Sequence, residues 1–190
     1  MRMSINVVIL LSLPSTLGST AANHKFEEED DTIEPPPDPN PVAGFEDGPM
    51  PESFELPLVM MYDSSVQASH GYLPSAVEKW VLRVVELTKP RLAVLRPSSI
   101  RLNVSKVEYW PGWFKVNQKV LKKLVKGRPN KRDLTMLLVG GTDGRLKGNA
   151  VLKSACREDG FAFGMLEDMK NDTKTARLLA HEIGHTLGMR

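Results

Sequence analysis

Two histidines four residues apart bracket a glutamate near the end of the sequence, as His181-Glu182-Ile183-Gly184-His185. On a helix, a step of four residues turns about 40° beyond one full turn, so both imidazoles leave the same face. Two imidazoles so placed can ligate one Zn²⁺ at about 2.0–2.1 Å each. Glu182 lies one residue along, off the ligand axis, where it can hold a zinc-bound water without ligating the metal. Zinc brings that water's pKa towards ~7 and polarises a peptide carbonyl. Glu182 can then take the water's proton and later deliver it to a leaving amine. His181 and His185 are therefore the expected metal ligands and Glu182 the expected catalytic base of peptide hydrolysis. The bland alternative is a surface helix carrying two satisfied histidines.

This chemistry needs a helix packed on a scaffold. Asp172 or Thr173 is the expected helix cap, and Ala176, Leu179, Ala180, Ile183 and Leu187 form a stripe at helical spacing. Gly188 follows His185 by three residues, where a glycine can end the helix in a left-handed turn. Upstream, Leu58–Tyr62 and Leu134–Val139 read as apolar strands, and Ile100, Leu102, Val104 and Val107 as a further strand. A helix should open at Pro74 with Ser75 as its cap, bury Val77, Val81, Val84, Val85 and Thr88, and stop at Pro90. A second should span about 116–125, with Val116, Val120, Leu121, Leu124 and Val125 inward and Lys115, Lys119, Lys122, Lys123 and Lys126 outward. Shorter strands are expected around Asn149–Lys153 and Phe161–Leu166. Tyr109–Phe114 is an aromatic turn, read as packing beneath a loop or as an exposed platform. The alternation of strands and helices predicts an α/β fold: a mixed twisted sheet with packed helices and an active-site helix.

The whole chain has 190 residues, a net charge of +2, 41% hydrophobic and 25% charged residues, which excludes collagenous, wholly disordered and polytopic membrane proteins. The small net charge hides a split. Residues 23–55 carry eleven acids and one base, whereas 56–190 carry 23 bases and 12 acids. Residues 1–21 have the pattern of a secretory signal peptide: Arg2, then an apolar run from Ile5 to Leu13, then Pro14 and the small residues Gly18–Ala21. That run is too short to span a membrane. Secretion is expected, and the sequons at Asn103 and Asn171 fit it. Residues 22–55, with Glu27–Asp31 and five prolines between 35 and 41, read as a disordered leader, either a spacer or a short pro-segment masking the basic domain. The folded domain is expected over 56–190. Its lysine-rich face is either solvated or a patch for an anionic glycan or matrix. Nucleic acid is not an expected partner, because a secreted protein rarely meets it. The single cysteine, Cys156, excludes an internal disulfide framework in the sequence as it stands.

His181 to Gly188 matches the first eight positions of HExxHxxGxxH, and so resembles the metzincin zinc proteases. The third histidine of that pattern would fall at 191, one residue past Arg190. Within metzincins the sequence resembles the reprolysin (adamalysin, ADAM-type) family. Leu58–Asp63 is similar to its opening strand, Leu134–Gly141 to its central strand, Gly148–Val151 leading to Cys156 to its edge strand, and Gly164–Asp168 to the strand that follows. The signal and acidic leader are similar to those of secreted arthropod reprolysins, such as those of tick saliva. The resemblance implies zinc held by His181, His185 and a third ligand just beyond residue 190, with Glu182 as general base. It implies protein or peptide substrates paired through their backbone with the strand near Asn149–Lys153. Pro57 stands where many reprolysins carry a calcium-binding Glu, so no calcium is expected there. The Met-turn, the lower subdomain and a partner for Cys156 are missing, which points to an N-terminal fragment that alone binds zinc weakly. The alternatives are a catalytically inactive binding protein of metzincin fold using its basic face, or a gluzincin-type protease.

Overall fold

Strands buried on both faces need near-continuous apolar sequence, and the centre of this chain's sheet has it. The computed structural model describes residues 32–33, 52–93, 99–126, 133–142, 144, 146–155 and 162–189. Among these residues six strands, β1 (Thr32–Ile33), β2 (Ser53–Tyr62), β3 (Ser99–Tyr109), β4 (Leu134–Val139), β5 (Gly148–Val151) and β6 (Phe163–Glu167), form one sheet. Their order is β1-β5-β6-β4-β2-β3. All neighbours run parallel except β5, which is antiparallel to β6. The α/β expectation with a mixed sheet therefore holds. All six residues of β4 are buried at its centre.

Among the described residues four helices cover the sheet: α1 (Ser64–Ser69), α2 (Pro74–Leu92), α3 (Gln118–Lys126) and α4 (Asp172–Thr186). On one face Leu58, Met60, Leu134, Met136, Leu138 and Leu166 meet Val77, Val81, Val84 and Val85 of α2 and Ala176, Leu179 and Ile183 of α4. On the other, Val59, Met61, Leu137, Val139, Phe163 and Met165 meet Val116 and Leu121. Successive strand residues point to opposite faces, so adjacent apolar residues feed both layers. Among the described residues, no helix is long and apolar enough to cross a membrane.

Several details depart from the sequence reading. Within the leader expected to be disordered, Thr32–Ile33 pairs in parallel with Ala150 and Val151 of β5. β2 begins at Ser53, before the expected start of folded structure near Leu56. The backbone of an edge strand can recruit a short segment whatever its side-chain composition, so sparse apolar content does not forbid pairing. Leu73, not Ser75, is the N-cap of α2, because Pro74 takes the first helical position. Pro90 lies inside that helix, which continues to Leu92. The ring costs the helix the one bond that an N–H at this position would make, and only two helical residues follow it. Asn171, not Asp172 or Thr173, caps α4; its Oδ1 accepts from Lys174 N at 3.0 Å. Asp172 instead accepts from Trp80 Nε1 at 2.9 Å and pairs with Arg83. The aromatic turn divides: Trp110 and Phe114 pack on the second core, while Trp113 is 71% exposed. The signal segment, the acidic and proline runs, Arg128, Lys131, Arg132 and Cys156 lie outside the described residues.

Candidate metal centre

The helix that carries the motif is fixed at both ends. Asn171 caps its start, and at its end Leu187 passes the chain to Gly188 at φ +95°. Gly188 N donates to His185 O at 2.9 Å and Met189 N to Gly184 O at 3.0 Å. This pair of bonds is a Schellman ending, which needs a left-handed residue where glycine suffers no Cβ penalty. The sequence expectation for Gly188 is met. A Cβ at Gly184 would meet Met189 Cε, the far end of a flexible side chain that can move aside. The loop after β5 closes the same end, with Lys153 N donating to His185 O at 3.0 Å and Ala155 N to Thr186 O at 2.9 Å.

That turn also aims His185. The Met189 carbonyl it presents stands 2.9 Å from His185 Nδ1. With Nδ1–H donating to that carbonyl, the lone pair of the neutral ring is left on Nε2. Metal-bound histidines are commonly oriented in this way by a backbone carbonyl. His185 Nε2 lies 3.0 Å from His181 Nε2, and the two rings are nearly perpendicular, with an interplanar angle of 77°. Two imidazole nitrogens on one tetrahedral zinc stand about 3.3 Å apart. At 3.0 Å the contact is a hydrogen bond between the two rings, a few tenths of an ångström short of that ligand spacing; as a pair of imidazole nitrogens the donor set is of a kind that suits zinc. His185 is buried, whereas His181 is exposed and offers the open side of the pair. Among the described residues, no group of three or more His, Cys, Asp or Glu side chains is placed to hold a metal.

Glu182 is fully buried, on the side of α4 that meets the sheet. There it lies against Gly148 of β5, where a Cβ would overlap its Oε1 and Cδ and approach its Cγ to 2.9 Å. Sequence reasoning placed Gly148 only as the opening of an edge strand. Its nearness to Glu182 depends on a contact between residues far apart in sequence, which no local pattern announces.

A second polar cluster lies on the same face of the sheet, near the start of α4. Asp168, at the end of β6, accepts from Lys170 Nζ at 2.8 Å and stands 3.6 Å from His70 Nε2. His70 packs against Trp80 with ring centroids 4.2 Å apart. Asp63 is wholly structural in its contacts: it caps α1 through Ser65 N and Val66 N and also accepts from Phe114 N. His24 lies outside the described residues, and His70 is not brought to the histidine pair.

No protein-family profile and no curated protein matches this chain. Among solved structures, a chain described as "Structure of a chaperone-substrate complex" is similar in fold, with a TM-score of 0.55 and 16% identity. The match covers 72% of this chain and 24% of that one, so this chain spans about a quarter of its length. At that identity the likeness concerns the fold alone.

Proposed function

We propose that the chain is, or is part of, a secreted zinc-dependent endopeptidase of the reprolysin type. The observation that carries this reading is the convergence of His181 and His185, with Nε2 atoms 3.0 Å apart and the Nδ1 of His185 held by the Met189 carbonyl. His181 and His185 would hold the metal, together with a third ligand that the motif puts at position 191. Zinc, when bound, acidifies water and polarises a carbonyl. Glu182, one residue from the first ligand and buried against Gly148 of β5, would take a proton from the attacking water. The same carboxyl then gives a proton to the leaving amine. The peptide substrate would add to β5 through backbone hydrogen bonds. Ala150 and Val151 already pair with β1, so an extended substrate at those residues replaces Thr32–Ile33.

The test uses the longest product of the reading frame, with metal analysis beside a peptide-cleavage assay. Glu182→Ala should retain zinc and lose hydrolysis by orders of magnitude. Near-normal turnover in the variant would sink the assignment. A binding role on the same fold has one observation in its favour: Lys115, Lys119 and Lys122 are all exposed in and beside α3. Salt-sensitive retention on a sulfated glycan, with no cleavage by the wild type, would favour that second reading.

A further inference from the structure

We infer that Gly148 is a positioning residue for Glu182: its missing side chain is the space that the carboxyl group occupies. This rests on the proposed function only for its consequence in catalysis; the contact itself stands apart from that reading. Gly148 is the first residue of β5 and already pairs with Leu166. A glycine in the middle of a strand weakens it relative to alanine by about 0.5–1 kcal/mol, an upper bound at this end position. Backbone conformation does not require a glycine here. Gly71, Gly112 and Gly188 have positive φ, and Gly148 does not. Alanine could follow the same backbone path. What it could not do is share the volume, because its Cβ would overlap Oε1 and Cδ of Glu182 and lie 2.9 Å from Cγ.

Neither partner is free to give way. Glu182 has no exposed surface into which to swing, and its Cγ, close to its own backbone, is among the atoms met. On the strand side, Gly148 is registered opposite Leu166 of β6. Strand and helix are also tied together just beyond, by Lys153 N to His185 O at 3.0 Å and Ala155 N to Thr186 O at 2.9 Å. A methyl group at 148 therefore pushes the carboxyl group along its own side chain or lifts α4 from the sheet. Either movement displaces Glu182 relative to the two imidazoles. The neighbouring glycine contact differs. A Cβ at Gly164 would meet Met136 Sδ, a flexible apolar side chain outside the proposed site.

The experiment is a double-mutant cycle on thermal unfolding of the chain, with Gly148→Ala and Glu182→Ala singly and together. Gly148→Ala should lower the midpoint by at least about 3 °C in the presence of Glu182. In the Glu182→Ala background the same change should shift it by less than about 1 °C or raise it. If Gly148→Ala alone does not fold, a cooperative melt of the double variant is the same result. Equal shifts in both backgrounds, or no loss with Glu182 present, overturn the contact. The positioning role is read in the longest product of the reading frame. There Gly148→Ala should lower kcat by about tenfold or more, with KM within about twofold and zinc content unchanged. Unchanged kcat, or loss of zinc, would reduce Gly148 to a packing residue and overturn the role. If the wild type cleaves no peptide, the proposed function fails while the melting cycle still decides the contact.

Discussion

Helices α2 and α4 pack against each other on one face of the sheet, yet they bury different chemistry. α2 turns inward Val77, Trp80, Val81, Val84, Val85 and Leu92, and its one buried hydroxyl, Thr88, donates to Val84 O at 2.8 Å. α4 buries Ala176, Leu179 and Ile183 but also Glu182 and His185. Burying an ionisable group costs free energy that an aliphatic side chain would not, unless partners compensate. The difference teaches that two helices in one core need not be built alike: α2 is a nearly apolar wall, while α4 carries polar groups that packing alone would not select.

The largest expected effect breaks the wall. Trp80→Ala removes an indole that is only 5% exposed and is hydrogen-bonded to Asp172 at the first turn of α4. It should destabilise by about 3–5 kcal/mol in urea unfolding. A loss near zero would mean that α2 does not anchor α4. Next come the two histidines. His185→Ala removes a buried ring and leaves the Met189 carbonyl without its ring partner, so a cost of about 2 kcal/mol is expected. His181→Ala, at an exposed position, should stay within about 0.5 kcal/mol. Both lose the mutual Nε2 contact, so the difference between them reports the burial of His185 together with its bond to the Met189 carbonyl. Cobalt titration should show weakened metal binding in both variants.

A smaller effect tests the end of α4. Gly188→Ala forces a Cβ into a left-handed conformation and towards Lys153 Cγ at 2.9 Å. A loss of about 1 kcal/mol is expected, because the lysine stem can move but the backbone strain stays. The smallest effect lies at the end of β2. Burial first, then the nearby charges of Glu78 and Tyr109, hold the Tyr62 hydroxyl above its ordinary pKa. The folded chain thus keeps the phenolic proton more firmly than the unfolded one. That contribution is complete below the ordinary value of about 10 and is lost as pH rises through the folded value. The melting midpoint should therefore fall at alkaline pH more steeply in the wild type than in Tyr62→Phe.

What the sequence determined by itself was local in its physics. The four-residue spacing of His181 and His185 is a property of helical pitch, and the structure brings their Nε2 atoms together. Gly188 was legible because a left-handed helix ending depends on one residue's φ. The buried stripe of α2 and the apolar run of β4 were legible because periodicity reports burial directly. Where local signals competed, sequence chose less well: Asn171, Asp172 and Thr173 can each cap a helix, and Asp172 was taken by Trp80 and Arg83 from another element. Tertiary structure alone decided the strand order, the antiparallel turn of β5 and the recruitment of Thr32–Ile33 to its edge. It alone set Gly148 beneath Glu182 and the Met189 carbonyl against His185 Nδ1. Those placements follow from how the sheet and its helices pack together. The backbone of an edge strand accepts many partners and the interior accepts few, so only the assembled packing selects among the pairings that the sequence permits.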